Sequence, residues 1–134
     1  MTTVSVSGPA LPPPGARVLP GGNRVDAVGE SFYASALTEI MGPSGESFGS
    51  TMMWASLVPD PANPYDPNAI RVVIGGKQVG NLDRAAAIVF GPVAKRILDL
   101  GCDVQCAATI VGAKGRFGVV LDLGTPDECL KELG

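Results

Sequence analysis

The sequence predicts a mainly β domain with short helices, an α+β fold that closes as a small antiparallel barrel. Three observations carry that prediction. Val104, Cys106, Ala108 and Ile110 alternate with Asp103, Gln105, Ala107 and Thr109, and beyond a turn at 112–115 the same period of two returns in Phe117, Val119, Leu121 and Leu123. Such a pair reads as the closing hairpin of a barrel. Ile70 to Ile74 and residues 79–82 are apolar runs joined through Gly75-Gly76, and glycine reaches the positive φ that a tight hairpin tip requires. Helical periodicity is confined to short stretches that glycine or proline interrupts.

Taken in order, residues 1–23 include GPALPPPGARVLPGG and read as a disordered Pro/Gly-rich arm. They lack the basic start and apolar core of a secretory signal; a polyproline ligand for a partner is the other use of such a cluster. Residues 24–124 form the barrel domain. Residues 24–28 are its first strand, ended by Gly29. In GESFYASALTEIMG, Tyr33, Leu37, Ile40 and Met41 share a helical face, and Gly42-Pro43 stops the helix. Residues 43–50 are a polar loop and 51–58 the next strand, where Trp54, with Met52, Met53 and Leu57 around it, is expected to pack in the core rather than serve as a stacking platform.

An elbow follows, with prolines at 59, 61, 64 and 67. Each fixes its own φ and biases the preceding residue toward extended backbone, so the segment cannot be helix. In the hairpin it feeds, Ile70, Val72 and Ile74 take one face, Arg71 and Val73 the other. Asp83 is a candidate N-cap for a helix with two stripes, Val89, Val93, Ile97 and Phe90, Ala94, Leu98, which Pro92 should bend or divide near Gly91. Gly101 is a natural terminator. Residues 125–134 form a short C-terminal helix or tail.

Composition narrows the function. The 134 residues fit one domain, and no apolar run approaches the ~18 residues that span a bilayer, so a soluble, cytoplasmic protein is expected. The formal charge is −3, and residues 24–122 hold eight basic and ten acidic side chains. Bulk attraction to phosphate is therefore excluded, and any DNA contact must be local. Three cysteines, Cys102, Cys106 and Cys129, and no histidine argue against a structural zinc and for buried thiols in a reducing compartment. No triad, no phosphate-binding glycine loop and no carboxylate cage stands out, and Asp60 and Asp66 beside prolines read as turn chemistry. No catalysis, no metal and no cofactor are expected.

The string NPYDPNAI, followed at short spacing by VGNL and preceded by GESFY at 29–33, resembles a HIRAN domain over residues 25–123. The resemblance implies an OB-like antiparallel β-barrel. In family members fused to fork-remodelling ATPases, in the setting of DNA repair, such a barrel captures the 3′ end of single-stranded DNA. It implies as nucleic-acid-binding residues Ser31, Phe32 and Tyr33 in GESFY, Tyr65 and Asp66 in NPYD, Asn81 and Arg84 after the second hairpin strand, and Phe117 in GRFG. The aromatics would stack on terminal bases. Asp66 would accept a hydrogen bond and disfavour a terminal phosphate, which selects a free hydroxyl.

Each residue also has a plainer explanation. Tyr65 packing under the elbow, Asp66 making an Asx turn near Asn68, Tyr33 on the helix face, Phe117 in the core, and Arg84 and Lys77 as solvated charges all fit the same residues, unless those cations converge with Lys114 and Arg116. The chain also departs from the DNA-binding members: Ser31 stands where they carry arginine and Phe32 where they carry tyrosine, which removes one phosphate donor and one hydroxyl. The helix at 34–41 is an insertion that resembles the stand-alone bacterial or phage form. A protein-interaction or assembly scaffold, with a protein partner or a second copy on the cleft or a strand edge, is the rival from a different class. A metal-dependent nuclease or phosphatase subunit is the third.

Overall fold

A computed structural model describes residues 12, 14–41, 50–112 and 116–134. Among these the chain order is β1 (Arg17–Val18), β2 (Asn23–Val28), a 3₁₀ turn (Glu30–Tyr33), α1 (Ala34–Met41), β3 (Ser50–Pro59), β4 (Ile70–Ile74), β5 (Lys77–Leu82), α2 (Arg84–Val89), α3 (Gly91–Leu100), β6 (Val104–Val111), β7 (Gly118–Leu123) and α4 (Pro126–Leu133). The sheet runs β6-β3-β4-β5-β2-β7, and β7 pairs back onto β6. All six of these strands pair antiparallel and close a barrel. The expected barrel is the fold.

Closure rests on β2 changing partners in mid-strand. Residues 23–26 pair with β7, whereas Ala27 and Val28 pair with Leu82 and Asn81 of β5. Glycine makes that junction possible: a Cβ on Gly80 would stand 2.9 Å from the Val28 carbonyl oxygen and 3.2 Å from the Ala27 Cβ. A bulge on β5 lies alongside, since Val72 faces Gly80 while Val73 faces Gln78, leaving Val79 as the extra residue. Both Val79 and Gly80 are buried, and Asn81 returns to the outer face.

The period-two pattern fills the barrel. Ile70, Val72 and Ile74 of β4, Cys106, Ala108 and Ile110 of β6, and Val119, Leu121 and Leu123 of β7 all point into one core, joined by Leu37, Val93, Ile97, Cys129 and Leu133 from the helices. Each large aliphatic chain so buried contributes about 1.5–3 kcal/mol. Helix ends follow local chemistry. Asp83 caps α2 by accepting the Ala86 amide at 2.7 Å, and Gly101, at φ 66, ends α3 with its amide on the Ile97 carbonyl. Thr125 and Glu128 form a reciprocal capping box on α4. The proline break falls where expected, between α2 and α3 at Phe90.

Several expectations are corrected. Arg17–Val18, assigned to the arm, pairs in parallel with Val104 and Gln105, and Leu19 beside it is buried. The sheet therefore takes in residues before 24, because the edge of β6 past the end of β7 offers unpaired backbone to a strand. Residues 1–11 and 13 lie outside the described residues, as do residues 42–49, on which most of the loop expected at 43–50 falls, and residues 113–115 of the turn expected at 112–115, Lys114 among them. Trp54 is on the outer face of β3, since Ala55 and Leu57 point inward. Gln105, assigned to solvent by alternation, is buried and donates to Ser56 Oγ at 3.2 Å and Asp103 Oδ2 at 2.7 Å. The two stripes of the interrupted helix split: Val93, Ile97 and Phe90 enter the core while Val89 and Leu98 are exposed, because a helix that restarts at Gly91 no longer keeps one phase.

Candidate functional site

Gly29 takes φ 84 and turns the chain out of β2 into the 3₁₀ turn, a conformation that costs a residue with a Cβ. The Phe32 amide donates to the Gly29 carbonyl at 2.9 Å. That turn leaves the Phe32 ring 87% exposed. Tyr33 is half-buried, and the space above Gly29 is bounded by the Tyr33 ring at 3.8 Å and the Asn81 amide nitrogen at 3.9 Å from where a Cβ would sit. Ser31 lies in the same turn.

The elbow is held by its own polar groups. Asn63 Oδ1 accepts the amides of Tyr65 at 2.8 Å and Asp66 at 3.0 Å, and Asp66 Oδ1 accepts the Asn68 amide at 3.0 Å. The Asp60 amide donates to the Ala69 carbonyl across the base of the loop at 2.9 Å. A loop with its amides satisfied internally does not need its side chains to hold it. Tyr65 is accordingly free to project, at 88% exposure, so it does not pack under the elbow. The Asx turn proposed for Asp66 is present. Its second oxygen lies 3.9 Å from Arg84 Nε.

Asn81 and Arg84 bring these pieces together. They are three residues apart across the β5–α2 junction: Asn81 borders Tyr33, and Arg84 faces Asp66 from the first position of α2. Tyr33 with Asn81 and Asp66 with Arg84 thus stand at the end of β5, with the exposed Phe32 and Tyr65 next to Tyr33 and Asp66 in the chain. Phe117 does not join them. It is 9% exposed and belongs to the core, the alternation that begins at Phe117 carrying its ring inward. Lys77 is also diverted, paired with Glu39 of α1 at 2.8 Å.

One residue that the motif reading missed sits in this neighbourhood. Arg71 is outward on β4, flanked by the inward Ile70 and Val72, and is directly opposite Asn81. The strand alternation placed it on the outer face, but nothing local marked it as more than a solvated charge.

The described residues include no group of three or more acidic or thiol side chains able to hold a metal ion. Burial pushes the Cys106 thiol up to about 12 and the Cys129 thiol up to about 11, so neither is a nucleophile near neutrality. No described helix is long and apolar enough to cross a membrane. No family model matches the chain, and no curated protein matches it. Among solved structures the chain is similar to the crystal structure of the HIRAN domain of human HLTF, at 21% identity and a TM-score of 0.45 over 84% of this chain and 88% of that one.

Proposed function

We propose that this domain is a non-enzymatic module that binds single-stranded nucleic acid, with DNA bearing a free 3′ hydroxyl end as its preferred ligand. The observation that carries the reading is the pair of aromatic rings left in water, Phe32 and Tyr65, each mounted on an internally hydrogen-bonded turn. Exposed rings on fixed backbones are stacking platforms whose binding orders little of the protein. Asp66 and Arg84, beside Tyr65, supply an acceptor and a guanidinium; the carboxylate oxygen facing Arg84 suits a terminal hydroxyl and repels a terminal phosphate. The GESFY, NPYDPNAI and VGNL strings support the same assignment. With a net charge of −3, binding is local and fades with added salt.

Fluorescence anisotropy at low salt with short oligodeoxynucleotides ending in a free or a phosphorylated 3′ position tests this. Tighter binding of the free end is expected. Equal binding of both removes the end preference, and absent binding removes the nucleic-acid reading altogether.

Ile88 and Val89 of α2, 58% and 56% exposed, favour a second reading, an assembly module that uses this helix face. Light scattering across a concentration series discriminates: a dimer that Ile88→Glu dissociates supports it, and a monomer at all concentrations removes self-assembly.

A further inference from the structure

Arg71 is not used by the site as described, yet the fold places it beside that site. On the outer barrel face Val58, Arg71, Asn81 and Val28 are successive cross-strand partners over β3, β4, β5 and β2. Val28 leads directly into Gly29 and the turn bearing Phe32 and Tyr33. Neighbouring strands lie about 4.8 Å apart, so the Arg71 backbone is roughly 10 Å from Val28. Register alone therefore brings Arg71 to within two strands of the turn that carries Phe32 and Tyr33.

The state of the guanidinium is the second observation. Its Nε is shielded from solvent and has no hydrogen-bond acceptor among the described residues. The ion pairs among the described residues belong to Arg24, Lys77 and Arg84, and Arg71 takes part in none of them. Arginine cannot relieve the loss of water by releasing its proton. An arginine whose Nε is desolvated and without an acceptor among the described residues, set between Val58 and Asn81 in the sheet, is therefore a group poised for an anion.

We propose that Arg71 is the phosphate contact of this surface and takes a backbone phosphate of the strand whose bases stack on Phe32 and Tyr65. The assignment rests on the single-strand-binding reading above. It identifies where the chain places the cation that Ser31 does not supply: on the strand floor instead of in the turn. Rigid attachment to β4 suits a planar fork that must meet a phosphate in a set orientation. A carboxylate from an acidic peptide would satisfy the same fork, but two exposed rings nearby favour a ligand with bases.

The test is a salt titration of oligodeoxynucleotide binding, by anisotropy, with the unmodified protein, Arg71→Gln and Arg71→Lys. Arg71→Gln should weaken binding roughly tenfold, as loss of one charge-assisted contact does, and should lower the steepness of log K against log salt by about 0.7, one phosphate on a single strand. Arg71→Lys should keep the steepness and lose part of the affinity. Arg71→Gln with unchanged affinity and steepness overturns the assignment and leaves the stacking surface standing; no binding by the unmodified protein overturns both. Binding of an acidic peptide in place of the oligonucleotide, with the same dependence on Arg71, also overturns it. The Arg71 Nε–H resonance of the unmodified protein answers without any substitution: it shifts during the oligonucleotide titration if Arg71 holds phosphate and stays in place if it does not.

Discussion

Phe32, Tyr65 and Phe117 are chemically similar rings with opposite fates, and the difference is testable. Phe32→Ala and Tyr65→Ala should each weaken oligonucleotide binding by about 1–3 kcal/mol while urea midpoints hold, because exposed side chains contribute within about 0.5 kcal/mol to stability. Phe117→Ala should reverse the pattern, losing about 3–5 kcal/mol of stability. Retained affinity in both exposed variants would remove these rings from the interface. The thiols make a second prediction. The Cys106 and Cys129 thiols are raised from 9.0 to about 12 and about 11, burial being the larger cause for each. The unfolded chain then releases these protons first, so their contribution to stability is full below pH 9 and is lost as pH rises toward 11 to 12. Urea midpoints should fall above pH 9, and Cys106→Ala should flatten part of that fall. Iodoacetamide on the folded protein should label the half-buried Cys102 well before the other two.

At the level of elements, the junction of β2 with β5 joins stability to the site. Gly80→Ala places a methyl against the Val28 carbonyl and the Ala27 side chain, so β2 must retreat at the point where it delivers Gly29 to Tyr33. A stability loss of about 1–3 kcal/mol is expected, together with faster hydrogen exchange at Ala27 and Val28 and weaker oligonucleotide binding. Normal exchange at those amides would show that the junction has slack. The elbow contrasts with this. Its order comes from Asn63 and Asp66 within the loop, a pattern that proline spacing foretold in shape, though the polar bonds are made by the residues between the prolines.

For the whole molecule, the segment at Arg17 and the C-terminal helix α4 are tied into the fold. Arg17 donates to the Glu132 carbonyl at 3.0 Å, Arg96 donates to the Gly134 carbonyl at 3.0 Å, and Cys129 and Leu133 are buried. Leu133→Ala should cost about 2–5 kcal/mol in urea unfolding and leave oligonucleotide affinity unchanged under folding conditions, since α4 does not contribute to the ring-bearing surface. A change in affinity without a change in stability would place α4 in the interface instead.

The sequence by itself determined what depends on near neighbours: the strands from their period of two, the hairpin from Gly75-Gly76, the split of α2 from α3 from Pro92, and the cap at Asp83. These are set within a few bonds by φ preferences and by which face is apolar. The tertiary structure alone decided which outward residues meet. Register across β3, β4, β5 and β2 put Arg71 beside Asn81, the β5–α2 junction put Arg84 against Asp66, and the edge of β6 drew Arg17–Val18 out of the arm. Contacts of that kind depend on residues far apart in the chain, whose pairing no local pattern encodes.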